Sequence, residues 1–92
     1  MAHLVSAIET SGCRFIRNGE AHSPQDAVRH ILRKYGHFRK KIETAEQFIE
    51  FCASGSTVSG RPYMMSCPGQ PELESRRWLM VELKRFRMRK TP

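Results

Sequence analysis

The stretch from Phe15 to His30, FIRNGEAHSPQDAVRH, decides the fold, because within one short run it passes from extended chain to turn to helix. Phe15 and Ile16 favour a strand, and Asn18-Gly19 is a turn dipeptide that tolerates positive φ. Ser23-Pro24-Gln25-Asp26 has the order of a helix start: a hydroxyl to cap, a proline at the first helical position where its missing N–H costs nothing, and an acid against the positive end of the helix dipole. The expectation is strand, turn, helix.

Working outward, Ala27, Val28, Ile31, Leu32 and Tyr35 form one apolar stripe, with Phe38 extending it past Gly36, so the helix begun at Pro24 is amphipathic. Its other face carries Asp26, Arg29, His30, Arg33 and Lys34. Upstream, Leu4, Val5 and Ile8 recur at helical spacing and Gly12 follows as a stop, which predicts a helix over residues 2–11. Downstream, Thr44 with Gln47 three residues later gives the capping-box pattern, and Ala45, Phe48, Ile49 and Cys52 supply the buried stripe of a third helix. Residues 53–60, ASGSTVSG, are small and polar and read as a loop. Arg61-Pro62 leads into a strand over residues 63–67, and Pro68-Gly69-Gln70-Pro71 breaks the chain again. Trp78, Leu79, Leu83 and Phe86 then define a last helix over residues 72–89, with residues 89–92 reading as a frayed end. The sum is an α+β domain, one unit over residues 1–92, with about four helices packed on one small two-stranded antiparallel sheet.

The chain has 92 residues, enough for one modest core and too few for two. Hydrophobic residues make up 39% of it, and no apolar run approaches the ~20 residues of a membrane-spanning helix. Sixteen Lys and Arg against nine Asp and Glu give a net charge of +7, so the surface carries a field that draws in anions: nucleic acid, anionic lipid or an acidic partner. The excess lies on the two helices around residues 29–41 and 76–90 rather than in a tail.

Cys13, Cys52 and Cys67 show no C-x-x-C spacing and no nearby histidine pair, which speaks against a structural zinc site. Cys13 precedes Phe15-Ile16 and Cys67 ends the second strand-like run, so antiparallel pairing of those runs would bring the two thiols together as a disulfide. Three reduced, semi-buried thiols are the alternative, because the count is odd. Cys52 falls on an apolar stripe and reads as core.

Asp26, His30 and Lys34 stand at i, i+4 and i+8, on one helix face, where the acid would raise the proton affinity of His30; the same spacing equally describes a solvated face with weak surface pairs. His22 and His30 lack a third metal ligand at convincing spacing, so no metal and no cofactor is expected. Arg17-Asn18-Gly19 before a capped helix has the composition of an anion site, though the glycines are too few for a nucleotide-binding loop, and the same residues equally describe a plain chain turn with Arg17 and Glu20 solvated. Ser59-Gly60-Arg61-Pro62-Tyr63 offers a hydroxyl, a cation and an aromatic at a loop mouth. No serine-nucleophile motif is present.

Taken as a set, Phe15-Ile16-Arg17-Asn18-Gly19, His22, Ala27, His30, Lys34, Ile42, Thr44-Ala45-Glu46-Gln47-Phe48-Ile49, Ala53-Ser54, Ser59-Gly60, Pro62-Tyr63 and Trp78-Leu79 resemble the bacterial domain-of-unknown-function family 5329, over residues 12–79. Members of that family usually begin with a signal peptide, so the resemblance implies an exported, periplasmic domain. Met1-Ala2-His3-Leu4 has no basic-then-apolar leader pattern, which leaves a cytoplasmic location as the alternative. The family carries no established activity, and its motif residues transfer only as a suspected ligand-binding patch: Arg17, Asn18, His22, His30, Lys34, Ser59 and Tyr63.

The function expected from these readings is a non-catalytic binding or inhibitory module of the bacterial envelope, engaging an anionic ligand or an acidic protein surface through a basic, histidine-containing patch. A nucleic-acid-associated basic protein is one alternative. A small enzyme using His22 or His30 in acid-base chemistry is the other.

Overall fold

A computed structural model describes residues 2–55 and 59–90. The chain order is α1 (Ala2–Thr10), β1 (Arg14–Arg17), β2 (Glu20–His22), α2 (Pro24–Phe38), a 3₁₀ turn (Arg39–Lys41), α3 (Ala45–Cys52), β3 (Met64–Ser66), β4 (Leu73–Glu74) and α4 (Ser75–Lys90). The α+β class and the four helices hold. The sheet is larger than the sequence suggested: four antiparallel strands in the order β2-β1-β3-β4, not two.

Both extra strands have a physical reason. Asn18 and Gly19 both take positive φ, 51° and 80°, the conformation of a two-residue hairpin turn whose twist matches that of paired strands. The turn therefore folds Glu20-Ala21-His22 back on β1, with Arg17 opposite Glu20 and Phe15 opposite His22. None of those three residues is β-branched, so the strand is imposed by the turn and not by propensity. At the other edge Leu73-Glu74 pairs with β3, Met65 opposite Leu73, and α4 starts at Ser75 instead of residue 72. Arg89 and Lys90 continue that helix, while residues 91 and 92 of the expected frayed end, like 56–58 of the expected loop, lie outside the described residues.

The central pairing, β1 with β3, sets Phe15 against Met65. Both point at the helices and are buried, while their neighbours Ile16 and Met64 are only half-buried, as the period-two pleat of a sheet covered on one face requires. The core that covers it joins Leu4 and Ile8 of α1, Ile31 of α2, Phe48, Ile49 and Cys52 of α3, Tyr63 before β3, and Leu79 of α4. Cys13 and Cys67 form a disulfide across the ends of β1 and β3, and Cys52 is a free, buried thiol.

The helix ends follow the local chemistry. Ser23 accepts from the Asp26 amide with Pro24 in the first turn, and the Thr44–Gln47 capping box closes in both directions. Thr44→Ala removes the acceptor for the Gln47 amide, 3.1 Å from Thr44 Oγ1. It is expected to cost about 1 kcal/mol, read as a lowered urea midpoint with an unchanged denaturant slope. At the start of α4, Ser75 is fully buried; its amide donates to the Tyr63 carbonyl at 2.8 Å and its hydroxyl donates to the Ala53 carbonyl. One residue, through its amide and its hydroxyl, thus ties α4 to the chain on both sides of the loop that leads to Tyr63.

Candidate functional site

The hairpin β1–β2 and the helix α2 leave a recess of about 210 Å³ between them, lined by Phe15, Arg17, His22, Ala27 and His30, with Asp26, Arg29 and Arg33 at its wall. Three guanidinium groups and two imidazoles meet one carboxylate there. That carboxylate, Asp26, is already engaged with Arg29 at 2.9 Å. The sequence placed Asp26 as the group that raises the proton affinity of His30. The structure corrects this, because Asp26 turns to Arg29, one turn of helix away, while His30 turns inward.

Behind the recess lies a chain of polar side chains. Arg17 Nη1 stands 2.6 Å from His30 Nδ1 and 3.2 Å from Nε2. A guanidinium has only hydrogens to give, so Nδ1, the nearer nitrogen, accepts. In the neutral ring the hydrogen then sits on Nε2, which donates to the Tyr63 hydroxyl at 2.9 Å. Lys34 Nζ donates to the same hydroxyl at 3.3 Å and to the Gly55 carbonyl at 2.8 Å, and lies 5.1 Å from the centre of the Tyr63 ring. The phenol oxygen therefore receives two hydrogens. Among the described residues its own hydrogen has no acceptor in this chain unless Lys34 gives one up.

Charge and burial act together on these groups. His30 is lowered from 6.5 to about 4, first by burial, then by the positive charges of Arg17, Lys34 and Arg33. Burial also lowers Lys34 and raises the Tyr63 hydroxyl. Each shift has the sign of burial, which disfavours the ionised form; for Tyr63 it outweighs the favourable charge of Arg17, and for Lys34 that of Cys52. Among the described residues no carboxylate bonds to Arg17, His30, Lys34 or Arg33. In addition, His22 Nε2 is buried without a hydrogen-bond partner, and unpaired buried polar atoms are uncommon in folded proteins.

The seven candidate residues thus fall into three groups. Arg17, His22 and His30 line the recess. Lys34 and Tyr63 form the layer beneath, Tyr63 only 1% exposed, so the solvated face offered as one reading of Lys34 is replaced by a buried amine that anchors a loop carbonyl. Asn18 and Ser59 stand apart from the recess and meet each other, the Ser59 hydroxyl donating to Asn18 Oδ1 at 2.7 Å, so the hairpin turn and the later loop share one surface. Arg29 and Arg33 are the residues that sequence reasoning passed over. Their signal was present, since both flank His30 on the polar face of α2 at i and i+4. Among the described residues no three His, Cys, Asp or Glu side chains gather to hold a metal ion, and no helix is long and apolar enough to cross a membrane.

Comparison with known proteins agrees with the motif set. Over 62 residues the chain is 44% identical to "Uncharacterized protein YfeK" of Salmonella typhimurium, a match covering 67% of this chain and 52% of that protein, so the chain spans about half the length of this curated relative. No solved structure matches it. The model of a family of unknown function, DUF5329, matches residues 1–87. Since that is nearly the whole chain, the protein belongs to the DUF5329 family.

Proposed function

We propose that this protein is a non-catalytic binding or inhibitory module of the bacterial envelope, and that the recess between β1–β2 and α2 holds an anionic group, from a small ligand or from an acidic protein surface. The observation that carries this reading is the charge imbalance: Arg17, Arg29, Arg33 and two imidazoles line one recess against a single carboxylate already paired with Arg29. An anion entering there would supply the acceptor that the polar chain lacks, and charge-assisted hydrogen bonds from guanidinium groups are the strong kind. The Cys13–Cys67 bridge supports an oxidising compartment. The hydrogen bonding of His30 supports holding rather than proton transfer: one ring nitrogen accepts from Arg17 and the other donates to Tyr63, so the ring's one nitrogen lone pair is taken and its N–H is engaged.

The test uses inorganic phosphate and citrate as probes, followed through the side-chain NMR resonances of His22 and His30 at neutral pH. Saturable shifts of both rings are expected, with affinity weakened roughly tenfold by Arg17→Met, the loss of about one charge-assisted contact. Rings that do not respond, or a response unchanged in Arg17→Met and in Arg33→Ala, would refute the reading. A duplex oligonucleotide bound more tightly than either probe, with a steep salt dependence, would favour the nucleic-acid alternative instead.

A further inference from the structure

The face of α4 turned away from the core carries Met80, Val81 and Met88, which are 39%, 49% and 67% exposed. Large apolar side chains so exposed on one helix face form a patch rather than the scattered singles that any surface shows. Arg77 and Lys84 stand among them on the same face, and Arg87 closes one side of the shallow groove they share. The arrangement is i, i+3, i+4, i+7 and i+11 from Arg77, one stripe along three turns of helix. The only carboxylate within α4, Glu82, points the other way, to His3 of α1 at 3.1 Å. The stripe is therefore apolar and cationic with no acid of its own.

We infer that this face of α4 docks on an anionic phospholipid surface. Charge complementarity selects the occupant. A second copy of the chain would set Arg77 and Lys84 against Arg77 and Lys84 across the apolar stripe, and the carboxylate at the groove's edge, Glu46, is already held by two hydrogen bonds from Arg87. A lipid surface offers phosphates to Arg77 and Lys84 and an apolar layer to the methionines and Val81, the composition of helices that lie in the plane of a membrane interface. The long Arg, Lys and Met side chains suit that environment, since their stems lie along apolar surface while the charged heads stay at phosphate level. The net charge of +7 orients the whole molecule toward such a surface before contact. The recess between the hairpin and α2 is lined by none of these residues, so the two readings stand independently.

Co-sedimentation with vesicles tests it, comparing phosphatidylcholine alone with phosphatidylcholine containing phosphatidylglycerol. The protein is expected to partition onto the anionic vesicles and not onto the neutral ones. Arg77→Glu with Lys84→Glu, and separately Val81→Asp with Met88→Asp, are each expected to weaken partitioning at least roughly tenfold. All four positions are exposed, and far-UV circular dichroism with Trp78 emission checks that the fold is kept. Absence of partitioning overturns the inference. So does partitioning that falls with the charge reversals but not with Val81→Asp and Met88→Asp, since that is a response to net charge and not to this face. Light scattering that finds a dimer dispersed by Val81→Asp assigns the face to a second copy, and polyglutamate binding as tightly as the vesicles, with the same variant sensitivity, assigns it to an acidic protein; both outcomes overturn the lipid.

Discussion

Replacing Cys13 and Cys67 by serine together is expected to remove about 4 kcal/mol of stability, a large share of what a domain of this size possesses. The bridge spans a sequence separation of 54 residues. In the chain-entropy account, closing a loop of that length withdraws conformations from the unfolded chain, and the cost reappears when the link is cut. For a domain near 100 residues, this corresponds to a fall of roughly 15–30 °C in the thermal midpoint. The measurement is thermal unfolding of the oxidised protein against the double serine variant. Cys52 gives an internal control: it is buried and free, so thiol titration of the oxidised protein should find one reactive group, and only after denaturation. A midpoint that moves by less than about 5 °C would mean that the unfolded chain was already held compact by other means. Three titratable thiols in the protein purified under air would remove the bridge itself.

The effect of that bridge on the site is indirect, and it shows which parts of the molecule can be read from sequence. Helix ends are local. Ser23, Pro24 and Asp26 mark the start of α2, and Thr44 with Gln47 marks that of α3, because the groups that satisfy the first amides lie within three residues of them. The pairing of β1 with β3 was legible for a related reason, since Phe15 and Met65 sit in short runs of strand-forming residues. Strands β2 and β4 were not. Glu20-Ala21-His22 and Leu73-Glu74 have no strand propensity of their own and become strands because a turn and a neighbour present unpaired backbone groups to them.

The site divides along the same line. The side of α2 that carries Arg29, His30 and Arg33 follows from helical spacing, but the residues that face it do not. Arg17 reaches His30 only because the hairpin bends over α2, and Tyr63 reaches both His30 and Lys34 from 33 and 29 positions away in the chain. Spacing alone therefore offered Lys34 to solvent as readily as to the interior. What decides it is the Gly55 carbonyl at 2.8 Å, an acceptor brought in by a loop of mostly small and polar residues with no periodicity to announce its position. The consequence for chemistry is large: a lysine and an arginine flank one histidine with no acid between them, which is an arrangement no pairwise rule along a helix would produce.

Acidification from pH 7 toward pH 4 is expected to destabilise the protein through that histidine. His30 holds its proton in the unfolded chain up to the ordinary value of 6.5, but in the fold it takes one up only at about 4, because burial comes first and the charges of Arg17, Lys34 and Arg33 follow. Its folded value is depressed, so the unfolded state binds the proton more readily throughout the interval. Stability is then complete above 6.5 and is lost as pH falls through the window from 6.5 to about 4. The full linkage would be near 3 kcal/mol; because the ring is only half-buried, solvent screening reduces the expected loss to roughly 1–2 kcal/mol. Glu46 overlaps only the acid end of the window. Its hydrogen bonds from Arg87 hold it at about 2, below its ordinary 4.5, so whatever it contributes is lost only as pH falls below 4.5. Urea midpoints at pH 7 and at pH 4.5 should therefore converge when His30 is replaced by glutamine, and should stay apart in the unaltered protein. An equal pH dependence in the two proteins would refute the assignment to His30, as would a ring that titrates near 6.5 by NMR. Arg17→Met removes the largest of the positive charges acting on the ring while leaving its burial in place, so His30 should move part of the way back toward 6.5. Phosphate in the recess should shift it in the same direction without any substitution, since an anion beside the imidazole favours the protonated form.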